Sequence, residues 1–210
     1  MVNVYVTNIR DLPDPEEYPE ILAGLPEERK KKILRFRNAE DRKQSLGAGI
    51  LLQKVLKRHG ISNEEIQIGD GGKPEVEGIC FNLSHSADLA VCAVSEKNVG
   101  CDVEQITDVP MRLIQKRFCE NEIRHMAKTP EEKKNEEFYR LWTMKESYLK
   151  MTGEGLRVPL NEFEIRFEEE IRIFRGGKYC SCYMKEYEIS GYKLTVCAEE
   201  EKFAENVEFM

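Results

Sequence analysis

The chain lacks most of the features that would assign its class quickly. None of its apolar runs, in 210 residues, approaches the roughly 18 that a membrane helix needs. The opening "MVNVYVTNIRDLPD" has no basic stretch leading into a long apolar one, so no signal peptide is expected. There is no GxSxG, hence no hydrolase elbow, and no GxxxxGK[ST], hence no Walker loop. The seven cysteines are odd in number and include no CxxC, which fits buried thiols in a reducing cytoplasm better than zinc or a disulfide framework. His59, His85 and His125 are isolated from one another, which excludes a recognisable zinc site. A net charge of −7 disfavours general nucleic-acid binding while leaving room for a local basic patch.

What is present describes an ordinary globular chain, 40% apolar and 34% charged. "VNVYVTNI" (2–9) reads as a strand. A basic helix, "PEERKKKILRFRNAEDRKQ", starts at Pro26, and a second, "SLGAGILLQKVLKRHG", stops at Gly60. "EEIQIGDGGKPEV" reads as strand, turn, strand. "GICFNLSHS", "LAVCAVS" and "VGCDVEQI" read as three neighbouring strands. An amphipathic helix is expected over 111–128, then a mobile charged loop, "TPEEKKNEE", then a helix, "EFYRLWTMKESYLKMTG", ending at Gly153. Strands "EFEIRF", "IRIF", "KYCSCYMKEYEI" and "YKLTVCAEE" complete the chain.

The order of elements repeats. Lys57 before Gly60 and Lys150 before Gly153 each end a helix that is followed by a loop and a strand beginning with acids. The expected fold is therefore α+β, with two similar halves, 1–99 and 100–210, packed as a pseudo-twofold dimer. The site is expected at their junction.

Four groups of residues could carry chemistry. Asp102 and Glu104 lie two apart on a strand, so they share a face, with roots roughly 7 Å apart. Alone, that pair reads as an ordinary solvated strand face. Trp142, Glu146 and Lys150 share one helix face, and Glu146–Lys150 is also the order of a plain surface ion pair. Three carboxylates brought together would suit a hard divalent cation, Mg²⁺ best. In "FNLSHS", Ser84 and His85 point to opposite faces of a strand, a poor nucleophile–base pair but a good pair of hydrogen-bond donors for an anion. The basic run from Arg29 through Lys32 to Arg42 and Lys43 stands out in an acidic chain, and Lys73 in "GDGGKP" could reach a phosphate from a hairpin turn. Together they describe a polyphosphate site better than unrelated surfaces.

"GCDVE", "FNLSHS" and "LWTMKESYLK", in this order and with "LPEERKKKILRFRNAED" and "GGKP" before them, resemble the signature segments of the 4′-phosphopantetheinyl transferases. The length and repeat are similar to the single-chain Sfp type. The resemblance implies transfer of phosphopantetheine from coenzyme A to a serine of an apo acyl or peptidyl carrier protein, releasing adenosine 3′,5′-bisphosphate. It implies Asp102, Glu104 and Glu146 as ligands of Mg²⁺ (or Mn²⁺), and Glu146 and Lys150 as catalytic groups. It implies Arg29, Lys32, Arg42 (or Lys43), Lys73, Ser84, His85 and Lys145 as coenzyme A contacts. Cys101 stands where the family usually has an aliphatic residue. The expected protein is a cytoplasmic monomer that binds neither nucleic acid nor membrane. Two other functions use the same residues: a Mg²⁺-dependent nucleotide pyrophosphate hydrolase, and a non-catalytic coenzyme A or carrier-binding module. The carrier is expected to dock near 111–128, on Met111, Leu113, Ile114, Phe118 and Met126, unless those residues are simply that helix's core face.

Overall fold

A computed structural model describes residues 1–62, 65–68, 74–110 and 112–210, without the side chain of Leu156. The first half runs β1 (Asn3–Asn8), α1 (Glu27–Arg35), α2 (Ala39–Arg58), β2 (Gln67–Ile68), β3 (Pro74–Glu75), β4 (Cys80–Ser86) and β5 (Leu89–Ser95). The second runs β6 (Val99–Gln105), α3 (Arg112–Arg117), α4 (Glu120–Lys128), α5 (Lys134–Thr152), β7 (Phe163–Phe167), β8 (Ile171–Arg175), β9 (Lys178–Cys180), β10 (Tyr183–Ile189), β11 (Tyr192–Ala198) and β12 (Glu208–Phe209).

The repeat seen in the sequence is a repeat of topology. In the first half β1 pairs antiparallel with β5, from Asn3 opposite Val94 to Asn8 opposite Leu89, and β5 forms a hairpin with β4. In the second half β6 pairs antiparallel with β11, from Val99 opposite Ala198 to Gln105 opposite Tyr192, and β11 forms a hairpin with β10. Strand orders β1-β5-β4 and β6-β11-β10 are therefore equivalent. A long helix accompanies each sheet, α2 in the first half and α5 in the second. The end of the chain crosses back: β12 joins β1 in parallel, so the last strand belongs to the sheet of the first half.

β5 shows why "LAVCAVS" is apolar throughout. Ala90, Cys92 and Val94 pack under Ala48, Leu51, Leu52 and Val55 of α2. Leu89, Val91 and Ala93 face the other way, into a cluster with Val99, Cys101, Val103, Leu194 and Val196 of the second half. A strand buried on both faces has no use for alternation. The Cys101 thiol occupies this shared core, where an aliphatic group would also fit.

Several boundaries differ from the sequence reading. The basic helix breaks at 36–38, not at residue 45, because Asn38 caps α2: its side chain accepts from the Glu40 amide at 3.0 Å. The 111–128 segment divides into α3 and α4, where the Glu122 carboxylate accepts from the Cys119 amide at 2.9 Å. The charged stretch 129–137, expected to be a mobile loop, instead holds a 3₁₀ turn at Glu131–Lys133 and the start of α5, with Glu136 and Glu137 in the first turn where the helix dipole favours acids. "KYCSCYMKEYEI" divides into β9 and β10.

Among the described glycines, Gly100 leaves least room for a side chain. A methyl group there would overlap the Ser147 carbonyl and the Met151 amide of α5, and would stand 2.9 Å from the Lys150 carbonyl carbon. These are backbone atoms that no rotamer change can move. Gly100→Ala is expected to destabilise the protein by about 1–3 kcal/mol, toward the upper end, as overpacking does. Urea unfolding measures this, and an unchanged midpoint would contradict the packing described.

Candidate active site

Gly100, Asp102 and Glu104 share one face of β6, and α5 lies over that face. Asp102 is 4% exposed; Glu104, Glu146 and Lys150 are half-buried. The Lys150 ammonium, one helical turn beyond Glu146, lies 2.6 Å from Asp102 Oδ1 and donates to Ser84 Oγ at 3.0 Å. Ser84 Oγ in turn donates to the same Asp102 oxygen at 3.0 Å. Two of the three expected acids thus sit side by side on β6, and the third acts on them electrostatically from α5.

Acids outnumber cations here, and the titration behaviour shows it. Burial pushes Asp102 up, against the pull of Lys150 and Ser84. Glu104 is pushed up to about 7, by burial first and then by the charge of Asp102, with Glu146 a smaller cause. Glu146 is raised by burial and by Asp102. Lys150 loses hydration, yet the charges of Asp102, Cys101 and Glu146 hold its ammonium above the usual range.

A hard divalent cation fits this donor set chemically. The donors are all carboxylate oxygens, and Asp102 Oδ2 is enclosed without a hydrogen-bond partner among the described residues. The set is not a finished cage. No three His, Cys, Asp or Glu groups among the described residues are gathered as ligands, and the Lys150 ammonium supplies positive charge at Asp102.

The reverse imbalance lies next door. Arg29 and Lys32 line both a cavity of about 810 Å³ and an adjoining one of about 350 Å³, which His85 also lines. Neither Arg29 nor Lys32 has an acidic partner among the described residues. Arg29 Nη2 donates to the Ser45 carbonyl at 2.6 Å, and its buried Nε has no hydrogen-bond partner among the described residues. Gly49 makes room for it, since a methyl there would stand 3.3 Å from Nε. Burial lowers Arg29, and burial with Arg29 lowers Lys32. His85 is held down at about 4, first by lost hydration and then by the charges of Lys150, Arg29 and Lys32. Its Nδ1 lies 3.1 Å from Gln44 Oε1. Leu25, Leu52, Ile66 and Pro74 give the larger cavity apolar walls.

Ser84 and His85 do point apart, Ser84 to the acids and His85 to the cavity. Two other expected contacts are turned inward. Arg42 Nε donates to Asp14 at 2.8 Å, Nη1 donates to the Phe36 and Arg37 carbonyls, and Glu16 adds a second ion pair. It holds the break between α1 and α2, and its guanidinium holds Asp14 down to about 2. Lys145 is fully enclosed; its ammonium lies 2.8 Å from Glu122 and donates to the Leu160 and Phe163 carbonyls at 2.8 and 2.6 Å. It is a core cation whose partners all lie within the second half. Lys73 lies outside the described residues. Of the suggested docking residues, Met111 also lies outside them, while Ile114, Phe118 and Met126 are core and Leu113 packs against it, so they form no exposed apolar patch.

The sequence reading missed Gly100, Gln44, Asn82, Ser86 and Glu122. The alternation of Asn82, Ser84 and Ser86 was a readable signal for one polar strand face. Nothing local marks Glu122 as the partner of Lys145.

Two family descriptions match adjoining parts of the chain: "4′-phosphopantetheinyl transferase, N-terminal" over residues 12–97, and "4′-phosphopantetheinyl transferase superfamily" over 98–197. The chain is 29% identical over 201 residues to 4′-phosphopantetheinyl transferase Sfp of Bacillus subtilis (strain 168), covering 91% of this chain and 90% of that one. It is 30% identical over 204 residues to 4′-phosphopantetheinyl transferase gsp of Aneurinibacillus migulanus, covering 94% and 86%. It is 33% identical over 167 residues to 4′-phosphopantetheinyl transferase HetI of Nostoc sp., covering 73% and 70%. With acids, cations and cavities arranged as described, and relatives matched along nearly its whole length, this chain belongs to the 4′-phosphopantetheinyl transferase superfamily.

Proposed function

We propose that this enzyme transfers 4′-phosphopantetheine from coenzyme A to a serine hydroxyl of an apo acyl or peptidyl carrier protein and releases adenosine 3′,5′-bisphosphate. The observation that carries the reading is the position of His85. It lines the smaller cavity together with Arg29 and Lys32, and the charge of Lys150, which belongs to the acid cluster, also reaches it. A ligand bearing phosphates along its length suits such an arrangement. The apolar walls of the larger cavity suit the adenine; Arg29, Lys32 and His85 suit the phosphates. Lys73 belongs with them by resemblance alone.

The attacking hydroxyl comes from the carrier. Ser84 is unsuited to that part, since its oxygen already donates to Asp102 and accepts from Lys150 and the Val103 amide. Asp102, Glu104 and Glu146 would hold Mg²⁺, with Mn²⁺ as a substitute; bound there, it would neutralise pyrophosphate charge. The Glu146 carboxylate takes the proton from the serine hydroxyl as the new P–O bond forms and the P–O bond to the leaving adenosine bisphosphate breaks. The Lys150 ammonium, fully charged at neutral pH, stabilises the leaving phosphate. Orientation of the two substrates supplies much of the remaining acceleration. A monomer is supported by the presence of both halves in one chain, and a cytoplasmic setting by seven free thiols. Among the described residues no helix is long and apolar enough to cross a membrane.

Two measurements test this reading. Incubation with coenzyme A, Mg²⁺ and a panel of apo carriers should add one phosphopantetheine mass to a carrier. Glu146→Gln should slow that step on the order of 10²- to 10⁴-fold, as loss of a general base does. Adenosine bisphosphate released without any carrier would point instead to a hydrolase. Independently, NMR titration of His85 in the ligand-free protein should give a pKa of about 4, rising when coenzyme A brings phosphate to the cations. The folded value lies below the free-imidazole 6.5, so His85 contributes stability above pH 6.5 that is lost as the pH falls toward 4. A pKa near 6.5 with no response to coenzyme A would remove His85 from the site.

A further inference from the structure

β6 is an edge strand, bonded along one side to β11 and open on the other. Amides on such an edge need partners when protein covers them. β4 lies along this edge in parallel, belongs to the other half, and supplies side chains in place of a backbone ladder. Asn82 Oδ1 accepts from the Cys101 amide at 3.0 Å, Ser84 Oγ from Val103 at 3.3 Å, and Ser86 Oγ from Gln105 at 3.1 Å. Each bond spans 19 residues, so the register is constant across the seam.

The two serines do more than close the edge. A hydroxyl that accepts from an amide still has one proton to give. Ser84 gives it to Asp102 Oδ1 at 3.0 Å, and Ser86 gives it to Glu104 Oε2 at 2.8 Å. Asn82 stands beside Gly100, where there is no acid to hold. One oxygen of each carboxylate is thereby committed. Asp102 Oδ2 is buried without a partner, and Glu104 Oε1 has no hydrogen-bond partner among the described residues.

We propose that Ser86 is a positioning residue for the divalent cation: it fastens Oε2 of Glu104 to the seam between the halves and so leaves Oε1 to the ion. This rests on the metal reading above. Ser86 is the informative position because Ser84 also touches Lys150, so its loss would disturb two groups.

The experiment is a Mn²⁺ titration of the full chain saturated with coenzyme A, following free Mn²⁺ by electron paramagnetic resonance against a blank of coenzyme A alone. Ser86→Ala should weaken Mn²⁺ binding about 10- to 100-fold, the usual cost of losing a group that orients a ligand. Ser86→Thr, which keeps the hydroxyl, should restore it. In a Glu104→Gln background, Ser86→Ala should add little. Unchanged binding in Ser86→Ala, or an equal loss with and without Glu104, would overturn the proposal and leave Ser86 as a seam contact only. Should Ser86→Ala fail to fold, Ser86→Cys, a weaker donor of similar size, replaces it with the same expectations. No Mn²⁺ binding by the unaltered protein would overturn the metal reading itself, and the inference with it.

Discussion

Helix α5 meets strand β6 so closely at Gly100 that no side chain fits between them, and the chemistry of the site depends on that contact. Two residues further along the strand, Asp102 falls under Lys150, and Ser147 and Leu149 are buried around the crossing. Depth is what makes the acids unusual. At the surface, carboxylates this close would be hydrated and screened. Here lost hydration raises all three toward the neutral form, and the charge of Asp102 adds to that at Glu104 and Glu146.

The site is two unbalanced electrostatic environments in contact. One holds acids with a single ammonium among them; the other holds Arg29 and Lys32, neither of which is paired with an acid among the described residues. Neither is at its best alone, and perturbed groups of this kind mark functional sites. A ligand that carries phosphate into one and shares a cation with the other would satisfy both. The buried Lys145–Glu122 pair shows the contrasting case. It is internally complete, with each partner also bonded to backbone, and it joins α4, α5 and the start of β7 as part of the core.

How far the sequence could be read depended on the range of the interaction. Helix and strand content followed from local pattern, and so did the repeat, because equivalent segments recur in the same order. The faces of Asp102 with Glu104, and of Glu146 with Lys150, followed from strand and helix periods. Lys145 shows where motif reading fails. It neighbours Glu146 in sequence, but successive residues on a helix point about 100° apart, so one enters the core while the other reaches the acids. Arg42 fails for another reason: Asp14 and Glu16, which neutralise it, lie on a turn-rich segment that carries no periodic signal.

The sequence alone determined the elements, their order, the doubling of the fold, and which acids and cations could share a face, since each of these is set by residues a few positions apart. The tertiary structure decided which of those charges are left with unmatched neighbours and which are paired within the core. That decision turns on burial and on partners far away in the chain, such as Asp102 with Lys150, 48 residues on, or Ser86 with Glu104, 18 residues on. A charge acquires its character from the water it loses and the groups it meets, and only the folded chain fixes either.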